Sequence, residues 1–188
     1  MALLLQLWGG IFFLLNKIFF SRAERSEGAR ARRWRIASWS VYLIGLPAWV
    51  IIFIMERNWI AAALESSGAP AMVMGLLVAV RGTGRQPKWL DHLALVGIVV
   101  GLSASLYDFG GITTVNQLLE IGIVTGYLIG TYMLAKERPS GYLWFLLMNG
   151  SNAVLMYTQD YPWLVVQQIA SLAFVLDAYV QNKRNNKG

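Results

Sequence analysis

The sequence predicts an all-α polytopic membrane protein of about seven transmembrane helices. Three observations predict it. Of the 188 residues, 56% are hydrophobic and 14% are charged, whereas roughly a quarter of a soluble domain is charged. The apolar residues fall in runs close to the roughly 20 residues that a helix needs to cross a hydrocarbon core of about 30 Å. Lys and Arg collect in every second connection between those runs.

The expected spans are 2–20, 36–55, 58–80, 90–107, 115–135, 141–158 and 161–181. The first has no basic residues ahead of it and no small-residue cleavage site behind it, so it reads as a retained helix rather than a signal peptide. After it, residues 21–35 hold Arg22, Arg25, Arg30, Arg32, Arg33 and Arg35. Arg81, Arg85 and Lys88 follow the third span, Lys136 and Arg138 the fifth, and Lys183, Arg184 and Lys187 the seventh. The other connections hold Glu56-Arg57, then Asp108 with a Gly/Thr loop, then Gln159-Asp160. Basic loops stay in the cytoplasm. The expected location is therefore the cell (inner) membrane, multi-pass, with the N-terminus outside and the C-terminus inside.

With no cysteine, thiolate zinc sites, iron–sulfur clusters and disulfides are excluded, and the single His92 excludes clustered histidine ligation. No metal and no cofactor is expected. The net charge of +6 sits in loops between apolar runs, which points to anionic lipid headgroups at the arginine-rich loop and not to nucleic acid.

An internal repeat is visible. Ser38-Trp39 to Asn58-Trp59 parallels Leu143-Trp144 to Pro162-Trp163. Gly45-Leu46-Pro47 matches Asn149-Gly150-Ser151 as a mid-span break, Glu56 matches Asp160, and Gln6-Leu7 matches Gln117-Leu118. Both triplets start outside, so they are parallel repeats, 1–80 and 115–188, and the segment 81–114 supplies the linker helix.

A 3+1+3 plan of this kind resembles the SWEET sugar transporters. The stretch Gly141-Tyr142-Leu143-Trp144-Phe145-Leu146-Leu147-Met148-Asn149-Gly150-Ser151-Asn152, then Tyr157-Thr158-Gln159-Asp160-Tyr161-Pro162-Trp163 and Gln167-Gln168, is similar to the PnuC-type vitamin transporters. The resemblance implies a facilitator for a vitamin such as nicotinamide riboside, with relatives that carry thiamine or riboflavin.

Polar residues inside a span are costly and mark functional candidates. Asn149 and Asn152 share one face of the sixth span, and Gln167 and Gln168 enter the seventh. Amides both donate and accept, which suits hydroxyls and carboxamides. The competing reading is amide contacts that hold helices together. Glu65 precedes Ser66-Ser67-Gly68-Ala69-Pro70, where proline frees a carbonyl that the serines are expected to cover. It is either a ligand carboxylate or a protonated acid bonded to a neighbouring helix. Trp49, Trp144 and Tyr157 offer faces for a planar or cationic ring. The expected substrate-binding set is Asn149, Asn152, Gln167, Gln168, Glu65, Trp49 and Trp144.

Lys17 is expected to snorkel at the inner interface and Asp177 to pair with a basic neighbour. With no coupled ion pair evident, net uptake would rely on metabolic trapping. Gly9-Gly10, Gly97 with Gly101 and Gly122 with Gly126 give close-packing faces, either within the chain or in a homo-oligomer. No GxxxxGK[ST] loop accompanies Gly82-Thr83-Gly84. Transport of a small polar or aromatic metabolite leads. An accessory or assembly subunit of a larger membrane complex is the alternative. An enzyme using Asp91, His92 or Glu65 ranks last, because no catalytic constellation is present, so no catalytic residue is expected.

Overall fold

A computed structural model describes residues 2–108 and 114–185. Among them every regular element is an α-helix: α1 (Ala2–Glu24), α2 (Gly28–Met55), α3 (Trp59–Ser67), α4 (Ala69–Arg81), α5 (Lys88–Asp108), α6 (Val115–Ala135), α7 (Gly141–Thr158) and α8 (Pro162–Asn185). The Gly/Thr loop before Thr114 and Lys187 lie outside the described residues.

Among the described residues, six helices are long and apolar enough to cross a membrane, with α3 and α4 counted as one stretch, Trp59–Arg81. The helix left out is α7. It has 18 residues, and Asn149, Gly150, Ser151 and Asn152 at its centre dilute its hydropathy. The outer surface is apolar: Leu3, Leu4, Ile11, Val96, Val99, Val100, Val166 and Ile169 are all exposed. Helices that are apolar on the outside while polar groups point inward suit lipid as the surrounding solvent. The chain is all-helical and compatible with a polytopic membrane protein.

Neighbour relations close a ring. α1 packs on α2, α2 on α3 and α4, α4 on α6, α6 on α7, α7 on α8, and α8 back on α1. α5 packs outside the ring against α3, α4 and α6. Small residues make these approaches possible. The Trp49 ring of α2 fills the space a side chain on Gly9 would need, and Gln167 of α8 does the same at Gly10. Gly97 and Gly101 of α5 face Ser67, Gly122 faces Ser151, and Gly126 lies against the Trp144 carbonyl and Met148. All three glycine faces are therefore used inside the chain, and an oligomer would need another surface.

Two expectations about the helices are corrected. The arginine-rich segment is not a long loop, because α1 runs on to Glu24 and α2 starts at Gly28. Hydropathy marks where apolar residues stop, but Ala, Arg and Glu are good helix formers and carry the helix past the hydrocarbon edge. Arg32 uses this extension to donate to the carbonyls of Ala79 and Val80 at the end of α4. Neither proposed mid-span break exists, since α2 is continuous through Pro47 and α7 through Gly150. The interrupted span is the third, at Gly68.

The short turns after α2, α6 and α7 share one geometry, and in the one after α6 Glu137 takes a φ of 55° while the Arg138 N–H returns to the Met133 carbonyl at 2.9 Å. After α2, Arg57 takes a φ of 57°, and after α7, Asp160 takes 59°. The Asn58 N–H returns to the Phe53 carbonyl at 2.8 Å and the Tyr161 N–H to the Met156 carbonyl at 3.0 Å. This six-to-one bond closes a helix C-terminus when the residue before it is left-handed.

Candidate functional site

The break in the third span fixes the site. Proline at position 70 has no N–H to donate, and Gly68 marks the change from α3 to α4. The serines do not cover the freed carbonyl, as the sequence suggested. Ser66 Oγ donates to the Ala62 carbonyl at 2.7 Å and Ser67 Oγ to the Leu64 carbonyl at 2.6 Å, both already within α3. Tyr127 of α6 instead donates its hydroxyl at 2.9 Å to the Glu65 carbonyl, one residue before the Ser66 carbonyl that Pro70 leaves without its helical donor. Gly68 permits this, since any Cβ there would collide with the phenol.

Beside the break lies a cavity of about 340 Å³, within the range of small-molecule sites. It is lined by α1 and α2 through Phe13, Lys17, Trp49 and Phe53, and by α3 through Leu64 and Glu65. From the other side come Ile123, Val124 and Tyr127 of α6, Met148, Asn149, Asn152 and Met156 of α7, and Leu164, Gln167, Gln168 and Ser171 of α8. Six of the seven expected site residues thus meet in one cavity. Trp144 does not. Its backbone carbonyl and Cβ pack against Gly126 and Gly130 of α6, a face that helix position alone does not reveal.

The four amides divide into two kinds. Asn149 is buried and donates to the Phe145 carbonyl at 2.6 Å, and Gln167 donates to the Gly10 carbonyl at 3.2 Å, tying α8 to α1. Asn152 and Gln168 have no hydrogen-bond partner among the described residues and face the open space. The buried Trp49 Nε1 and Glu65 Oε1 also lack a partner there. Interior polar atoms without partners are rare and mark places where a ligand or water completes the set.

Lys17 is the residue that sequence reasoning misplaced. It does not snorkel: its side chain is 3% exposed, inside the ring. Its Nζ donates to Asn16 Oδ1 at 3.0 Å and lies 4.5 Å from the Tyr42 ring centroid and 4.3 Å from that of Phe145. Asn16 is held in turn, donating to Ser38 Oγ at 2.9 Å and to its carbonyl at 3.1 Å. The lengthened α1 explains the error, because it puts Lys17 about two turns from the helix end. Lys17 of α1 and Glu65 of α3 therefore line one cavity in the bundle.

Towards the basic end of the bundle the cavity is stopped by aromatic rings. Tyr42 packs edge-on to Phe13 and Phe145, and Phe20 edge-on to Trp39 and Tyr142. Below them Glu24, 7% exposed, accepts from Tyr142 Oη at 2.9 Å, from Asn182 Nδ2 at 2.8 Å and from Arg35 at 3.4 Å. Arg35 reaches on to Glu137 at 2.7 Å. Asp177 pairs with Arg25, as expected. Asp91 accepts from Lys136 Nζ at 2.7 Å and Tyr132 Oη at 2.8 Å, while His92 is exposed with its ring nitrogen at the Lys88 carbonyl, so the two form no dyad.

No family model, curated protein or solved structure matches the chain.

Proposed function

We propose that the chain is a membrane transporter for a small polar or aromatic metabolite, working by alternating access of two three-helix repeats about the cavity. The observation that carries this is the cavity itself. It has walls from α1, α2 and α3 on one side and α6, α7 and α8 on the other, unpartnered polar groups within, and a closed layer at the basic end.

Burial supports the repeat. With Arg57 paired to Asp160, the buried residues of α7 (Gly141, Tyr142, Phe145, Asn149 and Leu155) pair with Ser38, Trp39, Tyr42, Leu46 and Ile52, all buried in α2. The same register continues, so that Ser171, Val175 and Ala178 of α8 pair with Gly68, Met72 and Gly75, again all buried. Trp39 then corresponds to Tyr142 and not to Trp144, two residues off the Trp-to-Trp alignment. Ring neighbours map onto each other as well: α1–α2 onto α6–α7, and α4–α6 onto α8–α1. In this reading α5 is the linker that makes the triplets parallel.

The basic residues gather at the end holding Glu24 and Arg35, which reads as the cytoplasmic end. Arg30 and Arg33 stay exposed there for anionic headgroups. In this reading the aromatic layer and the Glu24 network form the inner gate, and substrate enters the cavity from the outer end. Rocking of one triplet against the other would exchange the open ends.

The test is uptake by proteoliposomes holding the purified chain, against a panel of amino acids, nucleosides, sugars and vitamins, nicotinamide riboside included for the PnuC resemblance. Saturable uptake of one class, weakened in Asn152→Ala, supports the reading. No uptake and no binding of any class by folded protein sinks it.

A further inference from the structure

The search for a substrate class starts from charge. Lys17 and Glu65 line the same cavity, yet they do not form an ion pair, since no nitrogen–oxygen approach within 4.0 Å joins them. A pair kept only for structure would be expected to touch. Two buried charges of opposite sign offset their desolvation best in direct contact, with their remaining hydrogen-bonding positions filled. Here Glu65 Oε1 is buried without a partner, and Lys17 Nζ has one oxygen partner and two ring faces. Both side chains contribute to the wall of the same cavity.

We propose that the cavity selects a zwitterion, with a cationic nitrogen against Glu65, a carboxylate against Lys17, and an apolar or aromatic body along Trp49 and Phe13. This rests on the transporter reading and narrows it. The charge balance argues for it. The cavity is neutral when both groups are ionised, and a zwitterion keeps it neutral while giving each group a direct partner. A lone cation such as nicotinamide riboside pairs with Glu65 but leaves two positive charges in a low-dielectric space, and a lone anion leaves two negative ones. The free amides of Asn152 and Gln168 then serve the carboxylate or a side-chain substituent.

The experiment is thermal unfolding and competition uptake with the full chain and four probe sets. These are the proteinogenic L-amino acids with glycine betaine and carnitine as zwitterions, the amino-acid methyl esters as cations, the N-acetyl amino acids as anions, and uncharged nucleosides and sugars. The expected result is that one or a few zwitterions stabilise the protein and are taken up. Their ester and N-acetyl derivatives should bind at least ~30-fold more weakly. Lys17→Met should narrow the penalty on the methyl ester, and Glu65→Gln the penalty on the N-acetyl form. A misfolded variant cannot produce that exchange of selectivity, and if Lys17→Met fails to fold, the Glu65→Gln arm and the wild-type comparison decide. Tightest binding by a singly charged or uncharged probe overturns the zwitterion proposal and leaves the transporter standing. Silence of all four sets on folded protein overturns both.

Discussion

Gly68 and Tyr127 are fitted to each other: the phenol fills the space a Cβ on Gly68 would occupy, and its hydroxyl donates to the Glu65 carbonyl at 2.9 Å. One contact thereby joins α3 at its break to α6 and positions the residue that carries the cavity's carboxylate. Gly68→Ala is expected to destabilise by about 1–3 kcal/mol through overpacking. Tyr127→Phe loses one hydrogen bond, about 1 kcal/mol. Thermal unfolding in detergent measures both, and an unchanged Gly68→Ala midpoint would show that the break does not depend on this fit.

The amides should separate by what holds them. Asn152→Ala and Gln168→Ala remove groups that face only the cavity, so ligand binding should weaken about 5- to 150-fold with the apo unfolding midpoint unchanged. Gln167→Ala also removes the bond to the Gly10 carbonyl and should lower the midpoint of the apo protein. Equal midpoint losses in all three would contradict the division.

Glycines offer a contrast within one helix pair. A side chain on Gly126 would run into the Trp144 carbonyl and Met148, whereas nothing lies within 4 Å of a Cβ on Gly150. Gly126→Val should abolish the folded chain or cost several kcal/mol. Gly150→Ala should be neutral or stabilise by up to about 1 kcal/mol, as expected for Ala in a helix interior. A destabilised Gly150→Ala would restore the idea of a break in α7.

A pH dependence follows at the inner end. The hydrogen bond to Asp91 holds Lys136 above the ordinary lysine value of 10.5. Its stabilisation is therefore fully present below about that pH, and is lost as pH rises through the raised value. Side-chain exposure of 23% and 27% keeps the pair modest, about 0.2–1 kcal/mol. Lys136→Met should lower the unfolding midpoint slightly at pH 8 and remove the alkaline part of the wild-type decline. A decline of the same size in the variant would assign it to other groups.

The cavity's amide wall was legible in the sequence because Asn149, Asn152, Gln167 and Gln168 stand out in apolar runs, where polar groups are costly. Their facing direction was legible only in part. Helical spacing puts Asn149 and Asn152 together, but it gave no means of seeing that Trp144 turns towards α6 instead. Lys17 was missed for a different reason. Hydropathy ended the first span at residue 20, and four more helical residues move the ammonium from the membrane edge to the inside of the ring. Pro47 misled in the opposite sense: proline marks a lost hydrogen bond, and a helix held by neighbours on both sides carries that loss without breaking. The break in the third span was legible, since glycine and proline occur there two residues apart with serines before them.

Cysteine chemistry provides the most direct measurement, since the chain has no cysteine of its own. Asn152→Cys places a single thiol on the cavity wall. In spheroplasts it should react with a membrane-impermeant maleimide added outside, and a bound substrate should slow that reaction. Failure to label from outside, while the denatured protein or the cytoplasmic face labels readily, would contradict a cavity between the two triplets that substrate enters from the outer end.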